Sequence, residues 1–124
     1  MLVRAAERDL DALRFMRDSD EISDEVFGFH VQQAVEKSLK AHLGLLGDAY
    51  LLTHNLETLL DLLDERGIQT EVFRAQVSYT PYAVEFRYEG VGSDSEPIDR
   101  ELATRLAKML QDEVQQRLAE AEGR

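Results

Sequence analysis

Apolar residues recur at spacings of three and four along most of the chain, and this spacing predicts amphipathic helices. In the first segment, charged residues separate a stripe of apolar positions formed by Leu2, Ala6, Leu10, Leu13 and Met16. A second and broader stripe runs from Val26 to Leu46. Because this stripe is too wide for one shallow contact, we expect the second helix to be the most buried element.

Capping residues indicate where the helices begin and end. Ser23 is followed by two acidic residues and is a suitable N-cap for the second helix, and Gly47 stands where a left-handed C-terminal cap belongs. Asn55 and Gly67 bound a shorter, leucine-rich helix in the same way.

The pattern is less regular after Glu71. The helical spacing continues, but Pro81 must kink or restart the helix before residues 82–88. Those residues also alternate as a strand would, yet the chain offers no partner strand, so we favour helix. Residues 89–97 predict a loop because they are rich in glycine and polar residues. The last helix is predicted to begin near the end of this loop, between positions 95 and 98.

Four main helices plus a short or kinked fifth predict an all-α fold, an antiparallel up-and-down helical bundle. We expect one domain over residues 1–124, because 44% hydrophobic residues can form a single core at this length. The chain has no cysteine, which excludes disulfides, cysteine-ligated metals and a thiol nucleophile. The N-terminus lacks a signal-peptide pattern and no eighteen apolar residues run together, so we expect a cytoplasmic protein and no membrane association.

The net charge changes which partners are expected. The chain has 25 acidic and 14 basic residues, for a formal charge of −11, and no run of lysine or arginine. Its average field repels polyanions, so a nucleic-acid partner would need a local basic patch.

Known catalytic and metal-binding motifs are absent from the sequence. The histidines His30, His42 and His54 do not occur in the Glu-x-x-His arrangement of di-iron bundles, so we predict no metal site. There is no Gly-x-Ser-x-Gly elbow and no glycine-rich phosphate loop. We therefore assign no catalytic residue and no cofactor from these motifs.

Gln33, Lys37 and Lys40 lie on one face of the second helix because they are four and three residues apart. One interpretation is a solvated stripe in which Glu36 pairs with Lys40. The other is a contact with an anion or phosphate, or the seam of a dimer.

A second cluster combines tyrosine and arginine, with Tyr79, Tyr82 and Tyr88 near Arg87. These residue types suit stacking on a flat ligand or anchoring of an interface. An equally good interpretation is that the tyrosines are structural and that their phenol rings cover the hydrophobic core.

Three blocks of this sequence resemble the HEPN domains (higher eukaryotes and prokaryotes nucleotide-binding domains). They are FHVQQAVEKSLKAHL at 29–43, THNLETLLDLL at 53–63 and YTPYAVEFRYEG at 79–90. The resemblance implies an all-α bundle that pairs as a homodimer. It also implies a possible bound nucleotide and a minimal nucleotidyltransferase as protein partner, in a toxin–antitoxin-like pair.

Some HEPN proteins are metal-independent ribonucleases that use an arginine followed four to six residues later by a histidine. No arginine precedes His30, His42 or His54 at that spacing, and no histidine follows Arg87. The resemblance therefore favours a nucleotide-binding or partner-binding module. The alternatives are a divergent ribonuclease that uses His54 with Arg87, and a purely structural dimerisation protein.

The resemblance also selects candidate site residues at matching positions. The candidates for nucleotide or anion binding, with the cations on phosphate and Tyr88 on a base, are Gln33, Lys37, Lys40, His54, Arg87 and Tyr88. The interface candidates are His30, Tyr79 and Tyr82. His54 has the alternative role of joining Thr53 and Asn55 in capping the third helix.

Overall fold

The computed structural model describes residues 2–47, 52–85 and 97–123, and every regular element within these ranges is helical. The elements are α1 (Leu2–Met16), α2 (Asp24–Leu45), α3 (Leu56–Glu65), a 3₁₀ segment (Glu71–Tyr79), α4 (Tyr82–Glu85) and α5 (Arg100–Glu122). The predicted all-α fold is confirmed. None of the described helices is long and apolar enough to cross a membrane.

Helix α2 lies at the centre of the fold and packs against each of the other five elements. Its fully buried side chains include Phe27, Val31, Val35 and Leu39, which meet leucines of α1 and α3 in one core. The prediction that the second helix is the most buried element is confirmed.

Contacts between helix ends fix the directions of three helices. Arg100 at the start of α5 donates to the carbonyl of Met16 at the end of α1, whereas Gln115, farther along α5, donates to Glu7 near the start of α1. Arg100 also contacts Asp24, the first residue of α2. Helix α1 thus runs antiparallel to α2 and α5, and α2 and α5 begin at the same end. This detail refines the predicted up-and-down order.

The predicted caps of α2 and α3 are confirmed. The Ser23 and Asn55 side chains each accept a backbone N–H three residues later, at 3.2 Å. Gly47 and Gly67 have φ values of 88° and 83°, the left-handed conformation that terminates a helix.

The last helix begins later than predicted. Its N-cap is Asp99, whose carboxylate accepts the N–H of Leu102 at 3.0 Å, and the helix itself begins at Arg100. The N–H of Ile98 instead donates to the Asp24 carboxylate at 3.1 Å. This bond holds Ile98 against the start of α2, so Ile98 is not part of the last helix.

The chain breaks at Pro81 as predicted, and α4 restarts directly after it. Before the break, Arg74 of the 3₁₀ segment pairs with Asp61 and Asp64 of α3, and Gln76 donates to the backbone of α5 at 3.3 Å. The predicted loop over 89–97 lies outside the described residues, except for Pro97.

A group that we call the Arg100 clamp fixes the end of the bundle where α1 finishes. The Arg100 guanidinium pairs with the Asp24 carboxylate at 2.9 Å and lies over the Phe27 ring, 5.0 Å from its centroid. It also donates to three backbone carbonyls at 2.6–3.0 Å, those of Met16, Ser19 and Ile22. One side chain thus connects α5 to the end of α1 and the start of α2.

Candidate functional site

Two groups of polar side chains lie along α2, one facing α1 and the other facing the start of α3. The Asp9 unit consists of Asp9, His30 and Lys37. The Glu36 unit consists of Gln32, Gln33, Glu36, Lys40 and His54. Together they contain five of the sequence-predicted residues, Gln33, Lys37, Lys40, His54 and His30.

The Asp9 unit is built on a carboxylate that lies on the apolar face of α1, three residues after Ala6 and four before Leu13. A buried carboxylate needs compensating partners. Asp9 has two: its Oδ1 accepts from His30 Nδ1 at 2.9 Å, and its Oδ2 accepts from Lys37 Nζ at 2.7 Å.

The Glu36 unit has the same arrangement, but its carboxylate lies on α2 instead of α1. Glu36 Oε1 accepts from His54 Nδ1 at 2.8 Å and from Gln32 Nε2 at 2.7 Å, and Oε2 accepts from Lys40 Nζ at 3.1 Å. Gln33 joins the unit by donating to the side-chain oxygen of Gln32 at 2.7 Å. Each unit therefore has one buried carboxylate that bridges a histidine Nδ1 and a lysine Nζ.

These contacts change what the two lysines can do. The predicted i,i+4 pair of Glu36 and Lys40 is present, and Lys37 is bound to Asp9. With neutral histidines, the two lysine charges are cancelled by the two carboxylate charges. A phosphate at Lys37 or Lys40 would have to share cations that are already paired.

The exposed part of the site is the His54 ring. The His54 side chain is 54% exposed, whereas the Glu36 side chain beneath it is 8% exposed. Since an ionised carboxylate only accepts hydrogen bonds, Nδ1 of His54 donates to Glu36, and in the neutral tautomer with this donor Nε2 is an acceptor. The imidazole is thus oriented as in sites where histidine accepts a proton or binds a polar ligand.

The same geometry bears on the alternative role of His54 as a cap. Asn55 caps α3, and Thr53 Oγ1 accepts the Asn55 N–H at 3.0 Å. The carbonyl of His54 accepts from Gln32 at 3.3 Å. The ring of His54 is bound to Glu36, so α3 is capped without it.

The predicted interface tyrosines lie at another place, against the first turns of α2. The Tyr82 ring covers Gly28 so closely that a Cβ there would lie 2.5 Å from ring carbons. Tyr79 lies beside it, with ring centroids 5.8 Å apart. Burial, and then the neighbouring Tyr82, raise the pKa of the Tyr79 hydroxyl to about 12. Both tyrosines are partly buried within one chain, and their role in an interface stays a prediction.

Three further residues that the sequence singles out remain, and one of them, His42, belongs to neither unit. Arg87 and Tyr88 lie outside the described residues. His42, the third histidine, is almost fully buried and its Nε2 has no hydrogen-bond partner among the described residues. Burial, and then the positive charge of Arg117, lower the pKa of His42 to about 4. It is therefore neutral at pH 7.

Sequence reasoning missed Asp9 and Gln32. Asp9 had a readable signal, because it interrupts the apolar spacing between Ala6 and Leu13. Gln32 lies in the HEPN-like block at 29–43, but it was not selected as a site residue, because a glutamine beside another glutamine is typical of an exposed helix surface. Among the described residues, no group of three or more histidine, aspartate or glutamate side chains is arranged to hold a metal ion.

Comparison with known proteins identifies one family. The family model of the HEPN domain matches residues 1–117, nearly the whole chain. No curated protein and no solved structure matches the chain.

Proposed function

The chain belongs to the HEPN domain family, and from this premise we propose that it is a homodimeric module that binds a nucleotide at the Asp9 and Glu36 units. We further propose that it associates with a minimal nucleotidyltransferase in a toxin–antitoxin-like pair. The observation that supports nucleotide binding best is the exposed His54 ring, held in one orientation by the buried Glu36 carboxylate.

The two units offer hydrogen-bonding groups rather than free positive charge. His54 Nε2 and the side-chain oxygen of Gln33 are acceptors, and a nucleobase or ribose supplies matching donors. Because Lys37 and Lys40 are paired, they attract phosphate less than free lysines would. We therefore assign recognition to the base and ribose, with Arg87 as an additional phosphate contact.

Calorimetric titration with ATP and GTP tests this proposal. We expect saturable heat from the wild type and at least about a tenfold weaker Kd for His54→Ala, which removes an exposed ring. A Lys37→Ala, Arg87→Ala double variant should weaken binding as well. Lys108→Ala is the matched control, because Lys108 is a lysine paired with an acid on α5 outside both units. Heat that is absent, or equal in all variants, would contradict nucleotide binding.

Cleavage of RNA is the second candidate function, and the pairing of His54 with Glu36 favours it. A carboxylate that orients a histidine is a common arrangement for a general base. The activity would proceed without the family's usual Arg…His motif. Purified protein should then cut a fluorogenic oligoribonucleotide, and His54→Ala should not. His42→Leu is the matched control, because His42 is a buried histidine that belongs to neither unit. Intact RNA, or cleavage that survives His54→Ala, would remove this candidate.

Dimerisation has its own test. Sedimentation should give twice the mass of the 14.1 kDa chain. Tyr82→Ala should weaken association if the tyrosines form the interface, whereas Phe73→Leu, inside the core, should not. A monomeric wild type would contradict the dimer.

Association with the nucleotidyltransferase is tested by co-expression with a neighbouring reading frame that encodes one, followed by size-exclusion chromatography.

A further inference from the structure

A groove of about 830 Å³ lies between residues 67–73 and one face of α5. It shares no residue with the Asp9 and Glu36 units. The α5 wall is formed by Met109, Glu113 and Arg117, which are four residues apart and therefore lie on one side of the helix over about 12 Å. We call this surface the acidic groove.

The floor of the acidic groove is apolar. Phe73 belongs to the core, and Ile68 packs partly against it. Above them, Val72 is 55% exposed and Met109 is 45% exposed. Both side chains line the groove, so an apolar side chain seated in it would remove exposed area of each from water.

The rim of the groove is acidic. Three carboxylates line it, those of Asp64, Glu71 and Glu113, and the guanidinium of Arg117 pairs with Glu113 at 3.7 Å. Arg74 and Asp61, which lie next to Asp64, add one charge of each sign, so the rim keeps a net negative charge. A hydrogen bond from Thr70, and then contacts with Arg74, hold the pKa of the Asp64 carboxyl below its usual value and keep it ionised. The groove therefore combines exposed apolar anchors with a net negative rim.

We infer that the acidic groove binds a basic amphipathic segment of a partner protein, with apolar side chains seated against Val72 and Met109 and lysines or arginines at the rim. Charge complementarity selects this occupant. A polyanion would be repelled by the rim carboxylates. A second copy of this chain fits the rim less well, because its sequence has no run of lysine or arginine to place there.

The probe for this inference is a short, fluorescently labelled helical peptide with leucines on one face and lysines on the others. We expect saturable anisotropy changes with the full-length protein. A scrambled peptide of the same composition should bind at least about tenfold more weakly, because it lacks the apolar face.

Variants of the protein identify the surface. Met109→Glu should weaken peptide binding by about tenfold, and Glu71→Lys should weaken it severalfold. The matched controls are Phe15→Glu, since Phe15 is 90% exposed on α1, and Glu57→Lys on the exposed side of α3, and neither should alter binding. Circular dichroism and nucleotide titration of each variant distinguish loss of the peptide-binding surface from unfolding of the protein.

Three results would overturn the inference. The first is absence of saturable binding, and the second is equal binding of the scrambled peptide. The third is self-association of the wild type that Met109→Glu abolishes, which would assign the groove to a second copy. Because the groove and the His54 site share no residue, failure of nucleotide binding would leave the peptide result unchanged.

Discussion

The Arg100 clamp and the Glu36 unit are both polar clusters built around one charged group, but they differ in what they leave accessible. The Arg100 side chain is mostly buried, and its donors are directed at backbone carbonyls and at Asp24. The Glu36 side chain is even more buried, yet one of its partners, His54, has more than half of its side chain in solvent.

This difference separates a structural cluster from a candidate binding site. In the clamp, every contact is between parts of the chain that must meet for the bundle to form. In the Glu36 unit, the buried carboxylate orients a group whose far side is open to a ligand. We therefore expect stability to depend strongly on Arg100 and weakly on His54, and nucleotide binding to show the reverse dependence.

The largest expected effect is that of Arg100→Met. This change removes the partner of Asp24 and the donors to three carbonyls, so the free energy of unfolding should fall by about 4 kcal/mol. Urea denaturation measures it. Arg14→Met is the control, because Arg14 pairs with Asp11 at the exposed surface and its loss should cost less than about 0.5 kcal/mol. Equal losses of stability for Arg100→Met and Arg14→Met would contradict a special structural role of the Arg100 clamp.

The third histidine, His42, extends the comparison, because it is buried and has no carboxylate partner within the described ranges. Its pKa is lowered from 6.5 to about 4 in the folded protein. A lowered pKa means that the unfolded chain binds the proton more readily, so stability is complete above pH 6.5 and is lost as the pH falls toward 4. The loss attributable to His42 by pH 4 should be about 3 kcal/mol.

Urea denaturation at several pH values measures this loss, and His42→Leu provides the reference. The leucine variant should lose less stability than the wild type between pH 6.5 and pH 4. Parallel pH profiles for the two proteins would contradict the assignment to His42.

An intermediate effect is expected for Glu36→Gln. The amide retains an acceptor for His54 but loses the charge that balances Lys40, so stability should fall by about 2 kcal/mol. Adding Lys40→Met should restore part of that loss, since it removes the uncompensated cation. A double variant that is less stable than Glu36→Gln would contradict the charge-balance argument. Thermal denaturation distinguishes these results.

The smallest stability effect is expected for His54→Ala, at less than about 1 kcal/mol, because the ring is mostly exposed and Asn55 caps α3. Its effect on nucleotide affinity should exceed that of every other single substitution proposed above for the site. A loss of stability as large as that of Arg100→Met would mean that His54 belongs to the fold rather than to the site.

Most of the fold was predictable because local signals set it. Helical spacing, the Ser23 and Asn55 caps, and Gly47 and Gly67 depend only on neighbours in sequence. The start of α5 was placed too early because the contact of Ile98 with Asp24 spans the fold. Helix directions likewise depend on distant contacts of Arg100.

The site was predictable only in part, for the same reason. The sequence aligned Gln33, Lys37 and Lys40 on one face and offered Glu36 as the partner of Lys40, but it did not indicate Asp9, the carboxylate that neutralises Lys37. Asp9 reaches α2 from α1, and His54 reaches Glu36 across a sequence separation of 18. Such pairings follow from packing, and a single sequence does not reveal them.

The most direct test of the proposed site is an NMR titration that follows the imidazole signals of the three histidines as ATP is added. We expect the ring resonances of His54 to shift in a saturable manner, with smaller changes at His30. Those of His42, which is buried away from both units, should stay fixed. Shifts confined to His42, or unchanged signals from all three rings at saturating nucleotide, would contradict a binding site at the Glu36 unit.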